Sequence, residues 1–143
     1  MPKTVKQTLK KCILIVEDSI DFSNLLKFIV EDEGFEGLQF PVDQPDIVTW
    51  AKEHKPAVVL VDLALRRKAG MDYIEDLKAD PETKGIPIII ITGRDLALKE
   101  VVDLQLRGIK YLRKGRVELD EIKNEIRISA GLKARIPSAS SKK

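Results

Sequence analysis

Short apolar runs alternate with amphipathic segments along the chain. Three of the runs, at residues 12–16, 57–61 and 86–92, are almost continuously aliphatic. Runs of this length and composition are typical of strands that are buried on both faces of a parallel sheet. Two weaker runs, at 35–40 and 109–113, have the length of further strands. We therefore predict five strands, the strongest of them covered by helices on both sides.

The intervening segments repeat their apolar residues at steps of three and four, as amphipathic helices do. Ser19 is placed to cap the first helix and Gly34 to end it. We predict helices over residues 20–33, 46–54, 71–79, 95–106 and 117–132. The expected inward-facing residues of the first, fourth and fifth helices are Phe22, Leu25, Leu26, Ile29 and Val30; Leu98, Val101, Val102 and Leu106; and Leu119, Ile122, Ile126 and Ala130.

Strand and helix alternate five times, which predicts an α/β domain. The sheet should be parallel, five-stranded and doubly wound, with helices on both faces and right-handed crossovers. The 143 residues suffice for one domain with a sizeable core. No internal repeat is present, so we expect a single domain over residues 12–132.

The charge is unevenly distributed and changes the interpretation of the two ends. The net charge is +2, but residues 1–11 carry four lysines and no acid, and residues 133–143 carry four basic side chains and no acid. The remaining residues hold 17 basic against 23 acidic side chains. We expect a basic N-terminal extension at 1–11 and a disordered, basic, Ser/Lys-rich tail at 133–143. Direct nucleic-acid binding is not expected.

Cys12 is the only cysteine, so an internal disulfide is excluded. We expect it to be a small buried residue at the start of a strand, in a reducing compartment. No apolar run approaches the ~20 residues that span a membrane, and the polar N-terminus does not resemble a signal peptide. These features predict a cytoplasmic protein without membrane contact.

Polar residues follow the buried strands at the edge where ligands bind in open α/β sheets. Glu17 and Asp18 follow the first strand, Asp62 follows the third, Thr92 ends the fourth and Lys114 follows the fifth. Three nearby carboxylates raise one another's pKa unless a cation neutralises them, and their hard oxygens suit Mg²⁺.

This set of groups suits phosphoryl acceptance. An aspartate beside Mg²⁺, here Asp62, is a suitable nucleophile toward phosphorus. Lys114 and Thr92 could neutralise and hydrogen-bond the oxygens of the incoming group.

These residues resemble the receiver domain of two-component response regulators, in particular single receivers of the chemotaxis-regulator kind. The resemblance covers about residues 11–132. It is carried by spacings of 44, 30 and 22 residues between Asp18, Asp62, Thr92 and Lys114. Gly70, eight residues after Asp62, and a tyrosine three residues before Lys114 fit as well.

The resemblance implies a flavodoxin-like fold and phosphorylation of Asp62 by a sensor histidine kinase or a phosphotransfer protein. It implies Mg²⁺ held by Asp18, Asp62 and the backbone carbonyl of Ala64, with Glu17 acting through water. Thr92 and Tyr111 would form a switch.

The switch would alter a surface formed by the fourth helix, fifth strand and fifth helix. That surface would meet a downstream protein target or a fused output domain, and a homodimer is one candidate assembly. The chain would be no enzyme beyond its own phosphoryl transfer and autodephosphorylation.

Two departures from the family pattern matter. Gly115 replaces the usual proline after the lysine, and we expect a more mobile loop there. Residues 66–68 are Arg66, Arg67 and Lys68 in place of a proline-containing loop. These charges are either solvated or recruit an acidic partner or the phosphoryl donor. Ala64 and Arg94 occupy positions that tune phosphoryl lifetime in the family.

Three other functions would place different demands on these residues. A haloacid-dehalogenase-like phosphatase would need a second acid at position 64, which is alanine. A flavin carrier would need a phosphate-binding loop where Glu17 and Asp18 would repel phosphate. A receiver-like interaction module that works without phosphorylation is the retained alternative.

Overall fold

A computed structural model describes residues 10–43 and 46–134. Within them, five parallel strands form one sheet in the order β2-β1-β3-β4-β5. The strands are β1 (Cys12–Val16), β2 (Glu36–Gln39), β3 (Val58–Val61), β4 (Ile88–Thr92) and β5 (Lys110–Arg113). The helices are α1 (Ile20–Asp32), α2 (Ile47–His54), α3 (Gly70–Ala79), α4 (Leu98–Leu106) and α5 (Leu119–Ser129). The predicted flavodoxin-like, doubly wound α/β fold is confirmed.

Alternate residues of the central strands face opposite sides of the sheet. On β1, Leu14 and Val16 pack with α2, α3 and α4, whereas Ile13 and Ile15 pack with α1 and α5. The central strands β1, β3 and β4 are buried at every position. Two apolar layers therefore hold the sheet rigidly from both faces.

The predicted basic extension at 1–11 and the predicted tail at 133–143 are not tested by the structure. Residues 1–9 and 135–143 lie outside the described part of the chain, and with them most of the predicted basic extension and tail. Cys12 is buried, as expected, and its thiol donates to the His54 carbonyl oxygen at 3.3 Å. In the part of the chain that the structure describes, no helix has the length and apolar character needed to cross a membrane.

The local signals of α1 are confirmed. The Ser19 hydroxyl accepts a hydrogen bond from the Phe22 N–H at 3.3 Å and caps the helix. Gly34 follows the helix with a φ of +92°, a conformation that residues with a side chain rarely adopt. Leu25, predicted to face the core, is 46% exposed, so that part of the prediction is wrong.

The prediction for α4 is wrong at three of its four inner positions. Leu98, Val102 and Leu106 are 78%, 43% and 82% exposed, and Leu104 is the residue of the helix that is buried instead. Apolar residues lie on two sides of this helix, and periodicity does not tell which side packs. The helix packs through Leu104, which leaves the other three as an exposed apolar stripe.

Leu119, at the start of α5, is likewise 48% exposed, against the prediction. It is the first residue of the helix, and the contact with the sheet begins one turn later. Ile122, Ile126 and Ala130 are buried as expected.

Gly70 positions α3 directly against the end of β3. A Cβ atom at this position would lie 2.2 Å from the Asp62 carbonyl oxygen and 2.7 Å from the Leu63 Cα atom. The Gly70 N–H also donates to the Leu63 carbonyl at 3.1 Å. Because the obstructing atoms belong to the backbone, they cannot move aside without shifting the loop that carries Asp62.

We predict that Gly70→Ala lowers the free energy of unfolding by about 1–3 kcal/mol, since the added methyl group overpacks a backbone contact. Urea unfolding measures the effect. Gly85→Ala is the matched control, because a Cβ at Gly85 meets no atom within 4 Å. The control should be neutral or slightly stabilising. Equal stability of the two variants would contradict the close approach at Gly70.

Candidate functional site

The sheet register brings the predicted residues to one edge. Val16 pairs with Val61, so Glu17 and Asp62 emerge side by side, and the Asp62 N–H donates to the Val16 carbonyl at 3.0 Å. Thr92 pairs with Arg113 on the next strands, and the Lys114 N–H donates to the Thr92 carbonyl at 2.8 Å. The parallel ladders thus place a residue from each of four strand ends at the same edge.

The Lys114 ammonium group lies at the centre of this edge. Its Nζ atom lies 3.1 Å from Asp62 Oδ2 and 2.9 Å from Glu17 Oε1. It also lies 4.3 Å from the centre of the Phe22 ring, within the range of a cation–π contact. Burial by itself would lower the pKa of Lys114, but the two carboxylates outweigh it and raise the pKa above its ordinary value. The group is therefore positively charged at neutral pH.

Glu17 is the most deeply covered carboxylate of the site. Its side chain is 2% exposed, and its Oε2 atom accepts a hydrogen bond from the Ser19 N–H at 3.0 Å. Burial, with a smaller contribution from the nearby Asp62, raises the pKa of Glu17, although Lys114 and the Ser19 N–H act in the opposite direction. The ionised form of Glu17 therefore depends on its cationic neighbour.

Asp62 is held through both carboxylate oxygens. Oδ2 accepts from Lys114, and Oδ1 accepts from the Ala64 N–H at 3.2 Å. The residue is 6% exposed. A carboxylate fixed in this way presents a defined direction to an incoming group, which is a requirement for a positioned nucleophile.

Asp18 is held by a different partner. Its Oδ2 atom accepts hydrogen bonds from the Arg66 backbone N–H at 2.9 Å and from the Arg66 Nε atom at 3.3 Å. The structure therefore gives each of the three predicted carboxylates a cationic contact from the protein itself.

The donor chemistry of the edge fits Mg²⁺, because aspartate oxygens and a backbone carbonyl are ligands that this ion prefers. Within residues 10–43 and 46–134, however, no three acidic, histidine or cysteine side chains are grouped closely enough to hold a metal ion. The Mg²⁺ site of Asp18, Asp62, Ala64 and Glu17 stays a prediction.

The two predicted switch residues are joined through the backbone of Arg94. The Arg94 N–H donates to the Thr92 hydroxyl oxygen at 3.2 Å, and the Tyr111 hydroxyl donates to the Arg94 carbonyl oxygen at 2.9 Å. Thr92 is fully buried, and Tyr111 is half-buried. A movement of Thr92 would therefore disturb the residue that anchors Tyr111.

The turn after Lys114 is built on Gly115. Its φ is +82°, which the fixed φ of proline near −65° cannot match. The N–H groups of Arg116 and Val117 both donate to the Arg113 carbonyl, at 3.0 and 3.1 Å. Gly115 thus permits a closed turn that differs from a proline-containing one, and the greater mobility expected from the sequence stays a prediction.

Three contacts of the site have no signal in the sequence. Periodicity predicts Phe22 only as a core residue, yet its ring faces Lys114. The contact of Arg66 with Asp18 joins residues that are 48 positions apart, so the local sequence does not indicate it. Residue types do not indicate the role of Arg94 either, because its contacts use backbone groups that any residue other than proline has.

We predict that Lys114→Gln lowers stability by about 1–3 kcal/mol near neutral pH, because two buried carboxylates lose their counterion. A carboxyl group with a raised pKa binds more protons in the folded state than in the unfolded one. Its contribution to stability therefore falls as pH rises from about 4.5 through the folded-state pKa. Loss of Lys114 raises the pKa of Glu17 further, so the deficit should grow with pH.

Urea unfolding at about pH 4.5 and about pH 7.5 measures this trend. Lys110→Gln is the matched control on β5, since its ammonium lies 4.0 Å from Glu125 Oε1 and its side chain is 57% exposed. A deficit for Lys114→Gln that does not grow with pH would contradict the assignment of Lys114 as the counterion of Glu17.

Comparisons with known proteins report on the family and the fold of the chain. A family model described as the response regulator receiver domain matches residues 13–127. Among curated proteins, the sensory transduction protein RegX3 of Mycolicibacterium smegmatis is 32% identical over 102 residues, covering 71% of this chain and 43% of that protein. The DNA-binding response regulator MtrA of Mycobacterium tuberculosis is 29% identical over 107 residues, covering 75% of this chain and 45% of that protein. The chain thus spans less than half the length of these relatives.

Solved structures show the same fold. The receiver domain of a putative LuxO repressor from Vibrio parahaemolyticus superposes with a TM-score of 0.74 at 23% identity, covering 86% of this chain and 92% of that one. The chemotaxis protein CheY4 of Vibrio cholerae gives 0.71 at 15% identity, with 84% and 98% covered. Members of this family are generally non-enzymatic signalling modules, typically phosphorylated on an aspartate and typically bound to Mg²⁺, and the family implies a histidine kinase as partner. From the matched family model and the shared fold, the chain belongs to the response regulator receiver domain family of two-component signal transduction.

Proposed function

We propose that the chain is a phosphorylation-controlled signalling module in which Asp62 accepts a phosphoryl group from a sensor histidine kinase or a phosphotransfer protein. The observation that carries the proposal is the position of the Asp62 carboxylate, buried between the Lys114 ammonium and the Ala64 N–H. An acceptor needs a fixed direction and a positive charge beside it, and Asp62 has both.

In the proposed reaction an Asp62 oxygen attacks the phosphorus of a phosphohistidine. The new O–P bond forms as the P–N bond breaks, and the imidazole of the donor leaves and takes up a proton. Negative charge spreads over the phosphoryl oxygens in the transition state, so catalysis consists largely of positioning and charge neutralisation. Lys114 supplies a positive charge within hydrogen-bonding distance of the acceptor.

The predicted Mg²⁺ ligands belong to the same proposal. Asp18, Asp62 and the Ala64 carbonyl would hold the ion, with Glu17 acting through water. When bound, Mg²⁺ would supply further positive charge for the phosphoryl oxygens. The raised pKa of Glu17 is consistent with a buried carboxylate that gains from an additional nearby cation.

The signal would pass from Thr92 to Tyr111 through Arg94. A phosphoryl group on Asp62 offers the Thr92 hydroxyl a charged acceptor and would draw this side chain toward Asp62. That movement would strain or break the hydrogen bond that the Thr92 hydroxyl accepts from the Arg94 N–H. Displacement of Arg94 would weaken the hydrogen bond from Tyr111 to its carbonyl. The populations of two arrangements of this loop would then shift, as in other phosphorylation switches.

The output surface would include α4, β5 and α5. On α4 the exposed apolar stripe of Leu98, Val102 and Leu106 is a suitable contact for a downstream protein, a fused output domain or a second copy of the chain. MtrA is described as DNA-binding, but the chain spans under half of that protein, and we propose no nucleic-acid contact for the receiver itself. A cytoplasmic location is part of the proposal.

A second candidate function is a receiver-like interaction module that works without phosphorylation. The contact of Arg66 with Asp18 favours it, because a predicted metal ligand is engaged by the protein's own side chain. The burial of Asp62 and Thr92, with Lys114 in contact with Asp62, favours the phosphorylated form, and we rank that form first.

We predict that the protein incubated with Mg²⁺ and a small phosphodonor gains the mass of one phosphoryl group, and that Asp62→Asn gains none. The asparagine keeps the shape of the side chain but lacks the nucleophilic carboxylate. Intact-mass spectrometry measures the gain. The matched control is Asp72→Asn, which alters an exposed acid on α3 and should be phosphorylated like the wild type. A gain in Asp62→Asn, or none in the wild type with any donor, would overturn the proposal.

We predict that Thr92→Val is still phosphorylated but transmits less of the change. The valine has the shape of threonine without the hydroxyl that contacts the Arg94 N–H. Amide hydrogen exchange at residues 94–106 should change on phosphorylation of the wild type and change several-fold less in the variant. Thr49→Val, on the distant helix α2, serves as the control for loss of a threonine hydroxyl. An undiminished response in Thr92→Val would exclude Thr92 from the switch.

A further inference from the structure

The carboxylate of Asp18 is covered by a side chain from the loop between β3 and α3. Its Oδ2 atom accepts hydrogen bonds from both the backbone N–H and the Nε atom of Arg66. The Asp18 side chain is 13% exposed, whereas the Arg66 side chain is 83% exposed. The guanidinium group therefore lies on the solvent side of a carboxylate that is otherwise largely covered.

The other two carboxylates of the edge share a different cation. Lys114 contacts Glu17 and Asp62, at 2.9 and 3.1 Å, and Arg66 contacts Asp18 alone. Two cationic side chains thus contact the three carboxylates of the resting site, Lys114 from the end of β5 and Arg66 from the loop after β3.

The three adjacent basic residues of this loop do not act as one patch. The Lys68 ammonium lies 2.6 Å from Asp76 Oδ2 and 4.8 Å from the centre of the Tyr73 ring, so it is engaged on α3. Arg67 is exposed. Within the triplet, Arg66 is the residue that contacts a predicted metal ligand.

We infer that Arg66 is an internal competitor of Mg²⁺. In the resting state its guanidinium group contacts Asp18, and Mg²⁺ displaces that group when it binds. The inference rests on the proposed function, since it concerns the same metal site. A carboxylate oxygen has two lone pairs and can keep the Arg66 N–H while it accepts a metal ion. The guanidinium carries a full positive charge, and at the same oxygen it repels a divalent cation.

Two consequences follow for the resting protein. The guanidinium lowers the affinity of the site for Mg²⁺, because binding must first break its contact with Asp18. The backbone bond from Arg66 to Asp18 persists, so the loop keeps its place while the side chain moves into solvent. Arg66 is in this sense a positioning residue that acts through Asp18 and does not touch the phosphoryl group.

The test compares Mg²⁺ binding by Arg66→Gln and Arg67→Gln. The two variants lose the same charge at neighbouring positions, and only the first loses a side-chain contact with Asp18. We expect Arg66→Gln to bind Mg²⁺ about threefold more tightly than the wild type, within the roughly 1.4- to 5-fold that an exposed ion pair supplies. The change in Arg67→Gln should be smaller and should disappear at about 0.15 M salt, where exposed charges are screened over ~8 Å.

Isothermal titration calorimetry with Mg²⁺ alone measures the dissociation constants, and Asp18→Asn shows that binding occurs at this site. A second readout is the Arg66 Nε–H signal in NMR, which should shift during the Mg²⁺ titration with the same dissociation constant. A purely structural role of Arg66 would change stability without that shift.

The outcomes separate the two claims. If the wild type binds Mg²⁺ and the two glutamine variants bind it equally, or if Arg66→Gln binds more weakly, the inference on Arg66 is overturned and the proposed function stands. If neither the wild type nor Arg66→Gln binds Mg²⁺, the metal-dependent function is overturned along with the inference. Binding by Arg66→Gln but not by the wild type would support the inference in its strongest form.

Discussion

One ammonium group shared by two buried carboxylates is the interaction on which this site depends. The side chains of Glu17 and Asp62 are 2% and 6% exposed, and Lys114 lies within about 3 Å of both. Removing charges from water is costly, and the cost is offset only while the partner stays in place. The position of β5 beside β4 and the turn at Gly115 therefore serve the same purpose, which is to deliver this cation to the edge.

The rest of the fold limits what can move when charge arrives at Asp62. Helix α3 begins against the backbone of Asp62, because Gly70 has no side chain to hold it away. The neighbouring strands β1 and β4 are buried at every position and are packed by helices on both faces of the sheet. The loop after β4 is more exposed, and there Arg94 links the buried hydroxyl of Thr92 to the half-exposed ring of Tyr111. We therefore expect a change in charge at Asp62 to be accommodated by movement of the loop that joins Thr92, Arg94 and Tyr111.

Much of this arrangement could be predicted from sequence because strand runs and parallel topology determine which residues reach the edge. The positions of Asp62, Thr92 and Lys114 followed from the ends of apolar runs. The inner face of α4 could not be predicted, since its apolar residues lie on two sides and tertiary packing chose Leu104 over Leu98. The contact of Arg66 with Asp18 joins residues 48 positions apart, and no periodicity reports such a pair.

The central claim is that Asp62 is the phosphoryl acceptor. The most direct test converts the phosphorylated residue chemically and identifies it by mass spectrometry. Borohydride reduces an aspartyl phosphate to homoserine, and peptide mass mapping then locates the converted residue. After treatment with Mg²⁺ and a phosphodonor, homoserine should be found at position 62 and at no other aspartate. Homoserine at Asp18 or elsewhere, or none at all in a protein that has gained phosphate, would contradict the assignment of Asp62 as the acceptor.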